Sequence, residues 1–189
     1  MWDADQIRAT LAAIAAADPE CTAFGASRHG HRLGPPLAET DVTAFEQQHQ
    51  ITLPASYRGF VLRVGDGGAG PYYGLYRLDR SGTLSLEWDE RPVPRQLATP
   101  FPHTTLWNPN AAGSESWMTD DEYFDAKWST GSLIIAEFGC GAFFRLVVSG
   151  AARGQVWFDD RAADGGLTPG PDFRDWYLSW LESAAVGGR

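Results

Sequence analysis

The sequence predicts an α+β fold, an antiparallel or mixed β-sheet flanked by helices. Three observations predict it. Apolar residues recur at helical spacing through the first third of the chain. The last third carries three β-rich runs joined by glycine-bounded turns. A single helical stripe then closes the chain. Helices, then strands, then one helix is the order of an α+β domain, whereas parallel sheets alternate strand and helix.

The elements follow in chain order. Residues 3–17 place Ile7, Leu11 and Ile14 on one helical face, and Asp18-Pro19 ends that helix. Residues 21–38, with Pro35-Pro36, read as an irregular connection. A second helix starts near Thr40 or Asp41, with Val42, Phe45 and His49 on one face. In ITLPASYRGFVLRVGDGG, Pro54 suits the first helical position, where a missing N–H costs nothing. Tyr57, Phe60, Val61 and Val64 follow at core spacing, and Gly65 suits the helix end.

From residue 71, PYYGLYRL and TLSLEW read as strands separated by Arg80-Ser81-Gly82. Residues 89–131 hold five prolines and read as an insertion or lid, with at most a short helix near Asp120–Lys127. SLIIAEF, AFFRLVV and QVWFDD read as three strands, with turns at Gly139-Cys140-Gly141 and Ser149–Gly154. A last helix starts at Asp172 and sets Phe173, Trp176, Tyr177, Trp180 and Leu181 on one face. The expected organisation is one domain over 1–189 with an insertion at about 89–131.

At 189 residues the chain buries enough surface to fold without metal or disulfide. Its two cysteines, Cys21 and Cys140, stand far apart and suit a reducing compartment. Asp3 and Asp5 stand where a signal peptide is basic, and no stretch reaches the roughly 20 apolar residues of a membrane span. A cytoplasmic location is the expectation. The net charge of −9 argues against nucleic acid as a ligand and suits a basic protein partner. Lys127 is the only lysine among 15 basic residues, which suggests GC-rich codons and is compatible with a bacterial source.

The search for chemistry returns little. Gly65–Gly70 matches G-x-G-x-x-G, but a helix precedes it and a strand is expected after it, the reverse of a dinucleotide site. His29 and His31 lack the third and fourth ligands zinc needs, and read as a solvated loop pair. His103 has no obvious partner, and Cys140 has no base to form thiolate. Asp159-Asp160 and Asp120-Asp121-Glu122 read as solvated carboxylates. The expectation is no catalytic residue, no metal and no cofactor. An enzyme using Asp159 and Asp160, or a metal protein using His29 and His31, is the weaker alternative.

The segment 89–131 interleaves Trp107, Trp117 and Trp128 with acids that include Asp120, Asp121 and Glu122. Exposed aromatics among carboxylates suit docking on a basic partner. Equally, the tryptophans can pin the segment to its own domain. Asp66, Tyr72 and Tyr73, in and after the glycine turn, complete the candidate partner-binding set.

A helix with Val42 and Phe45, then Leu53, Pro54, Tyr57, Phe60 and Gly67-Gly68, resembles the opening signature of the SUKH superfamily, or Smi/Knr-like domain. Asp66 stands where that family usually has Asn, a mild change because both tolerate left-handed turns. LIIAEFGCGAFFRLVV, a glycine loop, GQVWFDD and a helix opening on Asp-Phe are similar to its C-terminal part. The resemblance spans about 40–88 and 132–182, and 89–131 has no evident counterpart. It implies an α+β fold and no catalytic residues. It further implies an immunity protein that binds and neutralises a toxin, such as a nuclease. An intracellular regulatory scaffold is the alternative.

Overall fold

The computed structural model describes residues 1–87, 95–111 and 117–187. Its helices are α1 (Ala4–Ala17), α2 (Ala26–His29), α3 (Glu39–His49), α4 (Ala55–Arg63), α5 (Leu78–Glu87), α6 (Asp120–Tyr123) and α7 (Phe173–Gly187). Its strands are β1 (Ser132–Gly139), β2 (Ala142–Val147), β3 (Gln155–Asp159) and β4 (Leu167–Asp172). The strands form one antiparallel sheet in the order β1-β2-β3-β4. The α+β expectation holds, with the sheet antiparallel throughout.

Strand alternation gives the sheet two buried faces. On one face, Leu133, Leu146 and Val156 lie in register across three strands. Against them pack Ile7, Leu11 and Ile14 of α1, Tyr57, Phe60 and Val61 of α4, and Phe173, Tyr177 and Leu181 of α7. Trp2 joins this layer edge-on to Phe60 at 5.2 Å and donates its indole N–H to the Ser56 carbonyl. Trp176 and Trp180, expected in the same stripe, stay half-buried at its margin.

On the other face, Ile134, Arg145 and Trp157 form the corresponding row. Here Val147, Trp157 and Leu167 pack with Phe101, Ala152 and Trp107. The described part of 95–131 is therefore a cover that closes the second face of the sheet.

The Leu-Pro-x-x-Tyr block has a local reason. Leu53 is buried and its N–H donates to Glu46 Oε1 at 2.8 Å, tying α3 to the start of α4. Pro54 caps α4, which sends Tyr57 and Phe60 into the core. After α4 the chain reverses through Gly67 and Gly68, both at positive φ. Any side chain at Gly68 would collide with the Arg32 carbonyl, so the turn requires glycine.

Four expectations need correction. First, TLSLEW is not a strand: residues 78–87 are α5, and PYYGLYRL contributes only an isolated bridge from Leu75 to Ala136 and one to Gly68. (Trp88 lies outside the described residues.) The inward face of α5 is Leu78, Ser81, Gly82 and Ser85, small residues at helical spacing that a hydropathy pattern does not register. The Ser85 hydroxyl donates to the Ser81 carbonyl and accepts the Ile134 N–H at 2.7 Å, fastening α5 along the edge of β1.

Second, LTPGPD, to which no element was assigned from sequence, is a strand. β4 is an edge strand, where Pro169 and Pro171 are tolerated and discourage further pairing. Third, His31 is not solvated. It is buried, with Nε2 3.0 Å from Asp18 Oδ2, because the loop after α1 folds back over the Asp18 carboxylate. That carboxylate also accepts from Thr22 and Ala23, which holds its pKa far below the ordinary value.

Fourth, Asp159 is not solvated. It lies buried between Arg145 and Arg161, accepting from Arg145 Nε at 2.6 Å and Arg161 Nε at 2.8 Å. Burial alone would raise its pKa, but the two guanidinium groups hold it far below the ordinary carboxylate value. Arg161 also reaches the Tyr123 carbonyl and covers the Phe124 ring, so this charged group fixes the cover to the sheet.

Candidate protein-interaction surface

The cover is held inward by an aromatic stack. Trp107 lies parallel to Tyr123 at 5.4 Å and 5.0 Å from Trp128. His103, also without a partner in the sequence reading, packs on Trp107 and on Phe101 and faces the Trp128 carbonyl at 3.0 Å. Burial lowers its pKa and keeps the ring neutral. The Trp128 indole N–H donates to the Glu122 carbonyl, and Lys127 sits over the ring at 4.9 Å. Trp107 and Trp128 are therefore the residues that pin the cover to its own domain.

Trp117 is placed differently, with 65% of its surface exposed. Its neighbour Met118 is anchored by Asn110, whose amide donates to the Met118 carbonyl and accepts its N–H. That anchor fixes the backbone while leaving the Trp117 ring outside. The next residues form α6, which presents Asp120, Asp121 and Glu122 in one exposed turn. Thr119 and Glu122 close a capping box, which lowers the Glu122 pKa and holds the turn in shape. Phe124 at the end of the turn is 41% exposed. An exposed indole beside a rigid acidic turn can insert a ring into a partner and steer a basic surface toward it.

Asp66 does not belong to any surface. It is 3% exposed, and its carboxylate accepts the Leu78 N–H at 2.8 Å, capping α5. Burial raises its pKa, against the lowering effect of that N–H and of Arg77. Tyr72 and Tyr73 lie on the helix-bearing side of the sheet, the face opposite the cover. Tyr72 is 37% exposed, stacks on Phe144 at 5.4 Å and meets Phe24, itself 64% exposed. Tyr73 packs against Phe24 and lies under the Arg28 guanidinium. The nine sequence candidates thus divide into an acidic rim, an aromatic end, two inward-turned tryptophans and one buried cap. Sequence reasoning missed Phe24, an isolated large apolar residue outside any periodic stripe.

Among the described residues, no group of three or more His, Cys, Asp or Glu side chains could hold a metal ion. Among them, too, no helix is long and apolar enough to cross a membrane. Cys140 sits exposed at positive φ in the β1–β2 turn, as its flanking glycines suggest.

The sequence profile of the SMI1 / KNR4 family (SUKH-1) matches residues 36–179, more than half of the chain. The match takes in α3, α4, the whole sheet and the cover, and leaves α1 outside. No curated protein shows significant similarity to the chain.

Proposed function

Because this chain belongs to the SMI1/KNR4 family (SUKH-1), we propose that it is a non-catalytic protein-binding domain, an immunity protein that captures and neutralises a basic toxin domain. The observation that carries this reading is Trp117, held outside the domain by Asn110 next to the acidic turn of α6. A surface tryptophan costs solvation of its ring unless a partner covers it, and ring and acids together match a basic protein face. The chain's charge of −9 supports the same partner through long-range attraction. If the toxin is a nuclease, Asp120, Asp121 and Glu122 take the place of substrate phosphates and occlude its cleft.

The test is rescue of growth. A toxin-domain protein encoded beside this chain is expressed in cells with the wild-type chain or with Trp117→Ala. The wild type is expected to restore growth, and Trp117→Ala to restore it poorly although the variant accumulates normally. Equal rescue by both would remove Trp117 from the interface, and no rescue by the wild type would remove the toxin reading itself.

A further inference from the structure

Residues 18–31 run from the end of α1 through α2 and pack against the turn formed by residues 70–74. Between them lies a cavity of about 460 Å³, lined by Ile14, Ala26, His29, His31, Tyr72 and Trp180 among others. Ile14 and Ala26 are 5% and 2% exposed, so this segment shields apolar surface. It stands on the face of the sheet opposite the cover, where Tyr72 stacks on Phe144. We propose that residues 18–31 are an acid-released strap: protonation of His29 detaches the strap from the 70–74 turn and uncovers the apolar surface beneath it.

A few contacts hold the strap closed. Asp18 at its start accepts from Thr22, Ala23 and His31 Nε2. Gly25 touches the turn so closely that any side chain there would collide with the Tyr72 carbonyl. Phe24 adds ring contacts to Tyr72 and Tyr73. The His29 ring lies against Gly74, where a Cβ would come within 2.9 Å of it. Finally, the His31 backbone N–H donates to His29 Nδ1 at 3.1 Å. This last bond fixes the tautomer. Because Nδ1 accepts, the neutral ring carries its hydrogen on Nε2. A further proton can go only to Nδ1, where it faces the His31 N–H, donor against donor. His31 itself has a φ of 55°, in the left-handed region that side chains other than glycine avoid. The bond to His29 thus holds a strained residue, and its loss lets that strain relax.

The surroundings of His29 offer its charged form little support. On its own segment stand Arg28 and His31, whose ring centroid is 5.5 Å away. The end of α1 contributes Asp18, whose carboxylate is already engaged by Thr22, Ala23 and His31 and is held ionised by them. The 70–74 turn brings only uncharged residues. Helix α7 brings the Trp180 ring at 6.3 Å, and among the described residues no ionised side chain of α7 lines the cavity. Burial first, then repulsion from His31, lowers the His29 pKa, and the Tyr72 carbonyl that the ring faces only partly offsets them. In the released strap the ring regains an ordinary pKa, about 6.5. The closed strap is therefore fully favoured above that value. It loses ground as pH falls below it, until the closed-state pKa is passed.

The experiment is an NMR titration of the labelled chain from pH 7.5 to 5.5, reading the histidine ring signals and the backbone order parameters. Residues 21–31 are expected to fall from about 0.85, the value of rigid backbone, to below about 0.6, in step with the His29 ring signals. The helices α4 and α7 should stay rigid, and binding of the dye ANS should rise as apolar surface is uncovered. His29→Asn places an amide oxygen where Nδ1 accepts, without a group that titrates, and should keep the strap closed at pH 5.5. His49→Asn should release like wild type. The proposal is overturned if residues 21–31 stay rigid at pH 5.5, or if the whole chain loses order with them. It is overturned equally if release in the wild type does not follow the His29 ring signals, if folded His29→Asn still releases, or if His49→Asn abolishes release.

Discussion

Replacing Asp159 by Asn removes one negative charge from a site that holds two positive ones. The side chains of Arg145, Asp159 and Arg161 are 0%, 5% and 2% exposed. Among the described residues Arg145 Nη1 and Nη2 find no acceptor, so Asp159 is what neutralises that guanidinium. Asn keeps the volume, but its NH₂ group turns donors toward donors. Breaking a buried pair by removing one partner costs about 3–5 kcal/mol. In a chain of this size that lowers the melting temperature by roughly 6–20 °C. The assay is urea unfolding of wild type and Asp159→Asn at pH 7 and in acid. The folded-state pKa of Asp159 lies below its unfolded value, so its contribution is complete above the unfolded pKa, about 3.9, and disappears as pH falls through the folded value. The gap between the two proteins should therefore narrow in acid. Because Arg161 also holds Tyr123 and Phe124, the variant should be cut faster by protease within the cover. A gap below about 1 kcal/mol at pH 7, or one that does not narrow in acid, refutes this reasoning.

Phe60→Ala should cost about 3–5 kcal/mol by urea unfolding, since Phe60 is fully buried among Trp2, Phe173 and Tyr177. Trp176→Ala should cost less than Phe60→Ala, because its ring is half-exposed. Asp66→Asn should raise the melting temperature at pH 7, since an amide can still accept the Leu78 N–H without burying a charge. Burial raises the folded-state pKa of Asp66 above its unfolded value, so the cost of its ionisation is complete above the folded pKa; the gain should shrink as pH falls through that value and vanish below the unfolded pKa, about 3.9. His29, His49 and His103 are all held below the ordinary imidazole pKa by burial. The unfolded chain binds their protons first, so stability measured by thermal melting should fall as pH drops below about 6.5.

The long strands and the amphipathic helices were legible because their hydrophobic residues carry the period of the element. Ile7, Leu11 and Ile14 or Tyr57, Phe60 and Val61 admit one reading. Helix α5 was not legible, because its inward face is Ser81, Gly82 and Ser85, chosen for closeness and hydrogen bonding to β1. Strand β4 was hidden by its prolines, which only its place at the sheet edge permits. The buried charges were hidden for another reason. Asp159 meets Arg145 only once β2 and β3 are paired in register, and His31 meets Asp18 only once the loop closes over α1. At the candidate surface, composition identified the aromatics and acids of the cover but could not say which rings turn inward. Trp107 and Trp128 fill the space over the sheet, and Trp117 is held outside by the Asn110 anchor.

The most direct test of the proposed function is calorimetric titration of the purified chain with its proposed partner, a basic toxin domain, at low and high salt. The account predicts one-to-one binding that weakens with salt, as steering by Asp120, Asp121 and Glu122 requires, and that Trp117→Ala weakens about tenfold or more. No binding, or binding indifferent to both salt and Trp117→Ala, would contradict it.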